Sequence, residues 1–133
     1  MLTLNRRAVA LVAVLFLAGC NGGTVDRHAV TNDKKTLDSI ACEGALVADG
    51  VALDRTTAFY AREQAEELRI QASNLADALA SRKTVPSIEP RVRQTAKQAA
   101  RLAGILQRLH DHPADRAVGA DVEHTLKQAG DCP

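Results

Sequence analysis

Aromatic side chains are nearly absent from this chain of 133 residues, which has no tryptophan, one tyrosine and two phenylalanines. After residue 20, Phe59 and Tyr60 are the only aromatic residues. Sites that bind sugars or nucleic acid bases usually depend on aromatic rings as stacking platforms. The shortage of rings therefore argues against both kinds of site.

Signatures of catalysis are missing as well. The chain has no Gly-x-Ser-x-Gly elbow, no phosphate-binding glycine loop, no His-Glu-x-x-His and no Cys-x-x-Cys. None of its serines, which are Ser39, Ser73, Ser81 and Ser87, has a histidine and a carboxylate in an evident activating context. We therefore predict that the protein is not an enzyme and that it uses no cofactor.

One group of residues suggests metal chemistry: His110, Asp111, His112, Glu123 and His124. Imidazole and carboxylate ligands suit zinc or copper. The spacing argues against one shared site, because His110 and His112 flank a break in the helical pattern while His124 lies about three turns into the next helix. We predict a polar turn without a metal site. A metal or small-ligand carrier that uses the His110–His112 region is the alternative function.

Charge is almost balanced, with 17 basic and 16 acidic residues and a formal net charge of +1. Without Arg6 and Arg7, which lie in the N-terminal segment, 15 basic residues face the same 16 acidic ones. Proteins that bind nucleic acid usually carry a clear excess of basic residues. The sequence therefore predicts no nucleic acid partner.

Long apolar runs are limited to residues 8–17, which follow Arg6 and Arg7 and end at Leu17-Ala18-Gly19-Cys20. A positive start, an apolar stretch and small residues at its end are typical of a secretory signal. About ten apolar residues are too few for a permanent membrane-spanning helix. The ending resembles the lipobox of bacterial prolipoproteins, in which the cysteine is acylated and the peptide is cut just before it.

This resemblance implies a signal peptide over residues 1–19 and a lipid on Cys20. It also implies an extracytoplasmic protein that is anchored to the cell membrane, or to the outer membrane in a diderm cell. The alanine and arginine bias resembles that of small lipoproteins of high-GC bacteria such as actinobacteria. Residues 20–35 are polar and unpatterned, which predicts a lipidated flexible tether before a single helical domain over residues 36–133.

Good helix formers dominate this domain. Apolar residues recur at steps of three and four, which places them on one helix face, in four segments: about 33–49, 54–81, 91–110 and 114–129. We predict an all-α antiparallel bundle of these four segments, with Gly50 and Asp54 as caps around the first break. A long kinked helical hairpin, with one uninterrupted helix over residues 33–81, is the alternative.

Cys42 and Cys132 remain once Cys20 is assigned to the lipid. An even pair of cysteines in an exported domain predicts a disulfide. The two residues are equally distant from the turn near Ser87, so they face each other when the helical arms on either side of that turn pack antiparallel. We therefore predict that a Cys42–Cys132 disulfide joins one end of the bundle.

Basic residues follow one face of the third segment, opposite its leucines: Arg93, Lys97, Arg101 and Arg108. Charged residues are expected on any helix face that is exposed to solvent, and we favour this interpretation of the four residues. The functional interpretation is contact with an anionic surface of the envelope or with an acidic partner. Together these features predict a non-catalytic, membrane-anchored binding module whose partner is an envelope protein or polymer.

Overall fold

The structure, a computed structural model, describes residues 26–133. The predicted signal peptide and Cys20 lie outside the described residues. Residues 26–133 form no β-strand and fold into four helices: α1 (Arg27–Ala52), α2 (Ala58–Ser81), α3 (Glu89–Asp111) and α4 (Arg116–Ala129). Each helix packs against the next, and α4 packs back against α1, so the chain forms an antiparallel four-helix bundle. The predicted fold class is confirmed.

The first helix starts much earlier than we predicted. Asp26 caps it by accepting a hydrogen bond from the backbone N–H of Ala29 at 2.8 Å. Residues 27–35, which we predicted as part of the tether, are helical, so the predicted boundary at residue 36 is wrong. The periodic signal is weak here because Val30 and Leu37 are the only buried residues between positions 27 and 39.

The break between α1 and α2 is confirmed, so residues 33–81 form two helices, but its caps differ from the prediction. Gly50 lies within α1, which ends at Ala52. Asp54 adopts a left-handed conformation with φ 55°, which aspartate tolerates better than most residues. Thr57, not Asp54, caps α2 by accepting a hydrogen bond from the N–H of Tyr60 at 3.2 Å.

Small side chains let the helices pack closely in the main core, where alanine supplies many of the buried positions. Its fully or nearly fully buried alanines are Ala41, Ala45, Ala48, Ala61, Ala65, Ala72 and Ala99. A second, smaller cluster consists of Val30, Leu79, Ile88 and Val92. It lies at the end of the bundle that contains the start of α1 and the turn between α2 and α3. This second cluster holds the early turns of α1 against the rest of the bundle.

A disulfide joins Cys42 of α1 to Cys132, just after the end of α4, with 5.4 Å between the two Cα atoms. The bond links residues that are 90 positions apart. The pairing predicted from the turn near Ser87 is confirmed.

The fourth helix is much shorter than the others, with 14 residues against 26 in α1 and 23 in α3. At 1.5 Å per residue, it falls about 15 Å short of its neighbours. It packs beside the C-terminal half of α1 and leaves open a groove between the N-terminal halves of α1 and α3. None of the helices in residues 26–133 is long and apolar enough to cross a membrane.

Candidate functional site

The groove that α4 leaves open contains two adjoining cavities. The N-terminal cavity, of about 290 Å³, lies between the first turns of α1 and α3. The α4 cavity, of about 350 Å³, continues the groove to the end of α4. Lys34 and Gln98 line both cavities. We call the two together the α1–α3 groove.

The α4 cavity has an apolar floor and a polar rim. Leu37, Leu102 and Ile105 form most of the floor. On the rim, the Nζ atom of Lys34 donates hydrogen bonds to both carboxylate oxygens of Asp38, at 3.1 and 3.2 Å. Arg101 is the other cation that lines this cavity. Among residues 26–133, no carboxylate lies within 4.0 Å of its guanidinium.

The N-terminal cavity is more strongly basic. Arg27 and Lys34 line it from α1, and Arg91 lines it from α3. Within residues 26–133, no acidic residue lines this cavity, and no carboxylate lies within 4.0 Å of Arg27 or Arg91. The buried side chains of Val30 and Ile88 form the apolar part of its wall.

Charge is distributed unevenly along the bundle axis. We define the basic end as residues 26–40 and 70–101, which lie around the start of α1 and the α2–α3 turn, and the acidic end as the remaining described residues. The basic end contains Arg27, Lys34, Lys35, Arg82, Lys83, Arg91, Arg93, Lys97 and Arg101 against Asp26, Asp33, Asp38, Asp77 and Glu89. Acidic residues outnumber basic ones in the acidic end. The domain is therefore nearly neutral as a whole, but its two ends carry opposite net charges.

Ion pairing strengthens this contrast. Within residues 26–133, only Arg62 of the acidic end lacks a carboxylate within 4.0 Å, because every other cation there is paired. In the basic end only Lys34, Arg82 and Arg93 are paired, with Asp38, Asp33 and Glu89. Cations that are free to meet an external anion are therefore concentrated at the basic end.

The predicted basic face of the third segment is only partly available. Arg93, Lys97, Arg101 and Arg108 are all exposed on α3. Arg93, however, pairs with Glu89 at 3.4 Å, and Arg108 donates a hydrogen bond to Asp121 of α4. Lys97 borders a depression between α2 and α3, whereas Arg101 lines the α1–α3 groove. The four residues therefore do not act as one surface.

Arg27, Lys34 and Arg91 are not among the site residues predicted from the sequence. Arg27 and Lys34 lie within residues 20–35, which were predicted as a tether and have no clear apolar periodicity. Arg91 has a signal of its own: Arg91, Gln94, Gln98 and Arg101 follow the three-four spacing of one polar helix face. That face could have been found from the sequence, but its position opposite α1 could not.

His110 and His112 lie at the C-terminal end of α3, whereas Glu123 and His124 lie within α4. The Nδ1 atom of His110 lies 3.0 Å from a carboxylate oxygen of Asp111. This contact, with a second hydrogen bond from Gln107, lowers the pKa of Asp111. Among residues 26–133, no group of three or more His, Cys, Asp or Glu side chains could hold a metal ion. His110 and His112 are therefore not part of a three-residue metal cluster in the described residues.

Exposed apolar side chains mark the acidic end. Leu53, Phe59 and Tyr60 surround the α1–α2 turn and remain 56%, 75% and 52% exposed. They contribute nothing to the α1–α3 groove, whose lining residues on α1 end at Ala41, about 17 Å before the end of that helix.

Comparison with known proteins identifies no relative: no family model, no curated protein and no solved structure matches the chain. The unpaired cations of the basic end are therefore the main indication of function in the described residues.

Proposed function

We propose that this protein is an extracytoplasmic lipoprotein, anchored through an acylated Cys20, that acts as a non-catalytic binding module. In this proposal its basic end docks to anionic material of the cell envelope, in the first place the membrane surface. One observation carries the proposal: the cations without internal partners gather at the end of the bundle where α1 begins, and α1 follows directly after the predicted anchor.

The distance between anchor and domain supports this orientation. Six residues separate Cys20 from Arg27, because α1 begins at Arg27. At about 3.5 Å per residue, this connection reaches about 25 Å at full extension. The start of α1 is therefore held within about 25 Å of the lipid headgroups, whereas the acidic end lies a further helix length along the bundle.

Electrostatics favours the same orientation. Anionic lipids create a negative surface potential that attracts basic residues within roughly a Debye length, about 8–10 Å at moderate salt. Lys35, Lys83, Lys97 and Arg101 are exposed at the basic end and have no carboxylate within 4.0 Å in the described part of the chain. The acidic end would be repelled by the same surface.

Acylation is the first prediction. Replacing Cys20 with alanine removes the thiol that the lipobox resemblance assigns to the lipid, so labelled fatty acid should no longer be incorporated. The protein should then accumulate as precursor or be released from the membrane. The measurement is labelling of cells that express either form, followed by fractionation. Equal labelling of the wild type and Cys20→Ala would contradict the assignment.

The second prediction concerns docking by charge alone. In the mature Cys20→Ala chain, which lacks acyl chains, we expect binding to vesicles that contain phosphatidylglycerol at low salt. Binding should weaken steeply towards 0.5 M salt, because the Debye length falls to several ångströms. Glutamine at Lys35, Lys83, Lys97 and Arg101 should weaken binding at low salt at least tenfold in a vesicle co-sedimentation assay.

A matched variant shows whether vesicle binding depends on where the positive charges lie or only on the net charge of the domain. Replacing Arg55, Arg62, Arg116 and Lys127 with glutamine removes the same number of positive charges from the acidic end, and it should leave vesicle binding within about twofold of the starting chain. Helical circular dichroism confirms that both variants fold. An equal loss of binding in the two variants, or no binding by the starting chain at low salt, would refute docking through the basic end.

A further inference from the structure

The N-terminal cavity differs from an ordinary basic surface because its cations converge from two helices. Arg27 lies in the first turn of α1 and Arg91 in the first turn of α3, and both line the same half-open space of about 290 Å³. Neither guanidinium has a carboxylate within 4.0 Å among residues 26–133. A diffuse attraction to a charged surface does not require such a concave arrangement.

The chemistry of the walls defines the class of ligand. Guanidinium groups bind phosphate through pairs of parallel N–H donors, which a lysine ammonium cannot reproduce. The side-chain amide of Gln94 adds a neutral donor to the same cavity. The hydroxyl of Thr31 does not, because it already donates to the carbonyl oxygen of Arg27 at 2.9 Å. An anion with several acceptor oxygens, and not a cation or a neutral apolar molecule, fits this set of donors.

An apolar wall adds a second requirement. Val30 and Ile88 line the cavity beside the arginines and are 8% and 3% exposed. A ligand that places both an anionic phosphate and adjoining carbon atoms in the cavity would match the two kinds of wall. Free inorganic phosphate offers only the anionic group and has no carbon atoms to contact the apolar wall.

We propose that the N-terminal cavity binds the headgroup of an anionic glycerophospholipid from the membrane that holds the protein. Arg27 and Arg91 donate N–H groups to the phosphodiester from opposite walls, and the glycerol backbone lies against Val30 and Ile88. This inference rests on the proposed function, because the start of α1 is the part of the domain that a lipid on Cys20 keeps nearest the headgroups. The protein would then bind individual lipid headgroups in the N-terminal cavity, in addition to the attraction of its basic end to the charged surface.

Arginine-to-lysine substitution tests this inference without changing any charge. The acylated protein, purified in a nonionic detergent, is titrated with phosphatidylglycerol, and native mass spectrometry measures the fraction that carries one lipid. We expect Arg27→Lys with Arg91→Lys to weaken binding at least tenfold, because the paired N–H donors are lost. Arg55→Lys with Arg116→Lys, at the acidic end, should bind the lipid as the wild type does.

Competition identifies the ligand. Short-chain dihexanoyl phosphatidylglycerol should displace the bound lipid at a concentration at least tenfold lower than inorganic phosphate or pentaglutamate. Wild-type binding by the double lysine variant would overturn the inference, and so would equal displacement by phosphate or by the acidic peptide. Since the lysine variant retains every charge, a failure here leaves the vesicle result of the glutamine variants standing, and the two proposals fail separately.

Discussion

Reduction of the Cys42–Cys132 disulfide is expected to destabilise the domain by about 4–5 kcal/mol, the loss that chain entropy gives for a closed loop of 90 residues. A core in which alanine supplies many of the buried positions buries little apolar area per residue, so this is a large share of the net stability of a small domain. The melting temperature of the acylated protein in detergent should fall by at least 15 °C when reductant is added.

The double variant Cys42→Ser, Cys132→Ser is the matched control for side effects of the reductant. It should melt at the temperature of the reduced wild type and should not respond to reductant. Free thiols at Cys42 and Cys132 in protein isolated without reductant, or a shift in melting temperature of only a few degrees, would contradict the structural role of this bond.

Replacement of Gly119 by leucine is expected to destabilise the domain by about 3 kcal/mol, because α4 lies against the backbone of α1 at this position. A Cβ atom on Gly119 would lie 2.7 Å from the backbone nitrogen of Ala52 and 2.9 Å from the carbonyl oxygen of Ala48. Backbone atoms cannot yield as the end of a side chain can, so α4 would have to move away from α1. Chemical denaturation followed by circular dichroism measures the free energy of unfolding.

The same substitution at Gly104 supplies the control. Gly104 lies on the exposed face of α3, and a Cβ atom there would meet nothing within 4 Å. Leucine has the higher helix propensity, so Gly104→Leu should leave stability unchanged or raise it by about 0.5–1 kcal/mol. Similar losses in the two leucine variants would show that the close approach of α4 to α1 does not limit stability.

Most of the fold could be predicted from the sequence because the relevant signals are local. The spacing of leucines and alanines gave the four helices, and the number and placement of cysteines gave the disulfide. The beginning of α1 was missed because its cap, Asp26, stands among polar residues that resemble a tether. Gly119 gave no signal, since its close contact with Ala48 and Ala52 depends on how two distant helices are aligned.

The groove could not be predicted for the same reason. It exists because α4 ends about 15 Å short of α1 and α3, and which side chains line it depends on the alignment of all three helices. Two residues of the predicted basic face are paired internally. Arg93 pairs with Glu89 four residues away on the same helix, which the sequence could have shown, whereas Arg108 pairs with Asp121 of α4, which it could not. Sequence periodicity identified exposed cations but could not say which of them a carboxylate of another helix neutralises.

Photocrosslinking at two sites shows whether the basic end faces the membrane. A benzophenone amino acid replaces Lys83 of the α2–α3 turn in one preparation and Phe59 of the acidic end in another, both in the acylated protein in its native membrane. If the basic end faces the membrane, position 83 should crosslink to labelled phospholipid and position 59 should crosslink little or not at all. Equal lipid crosslinking from both sites, or crosslinking from position 59 alone, would contradict this orientation.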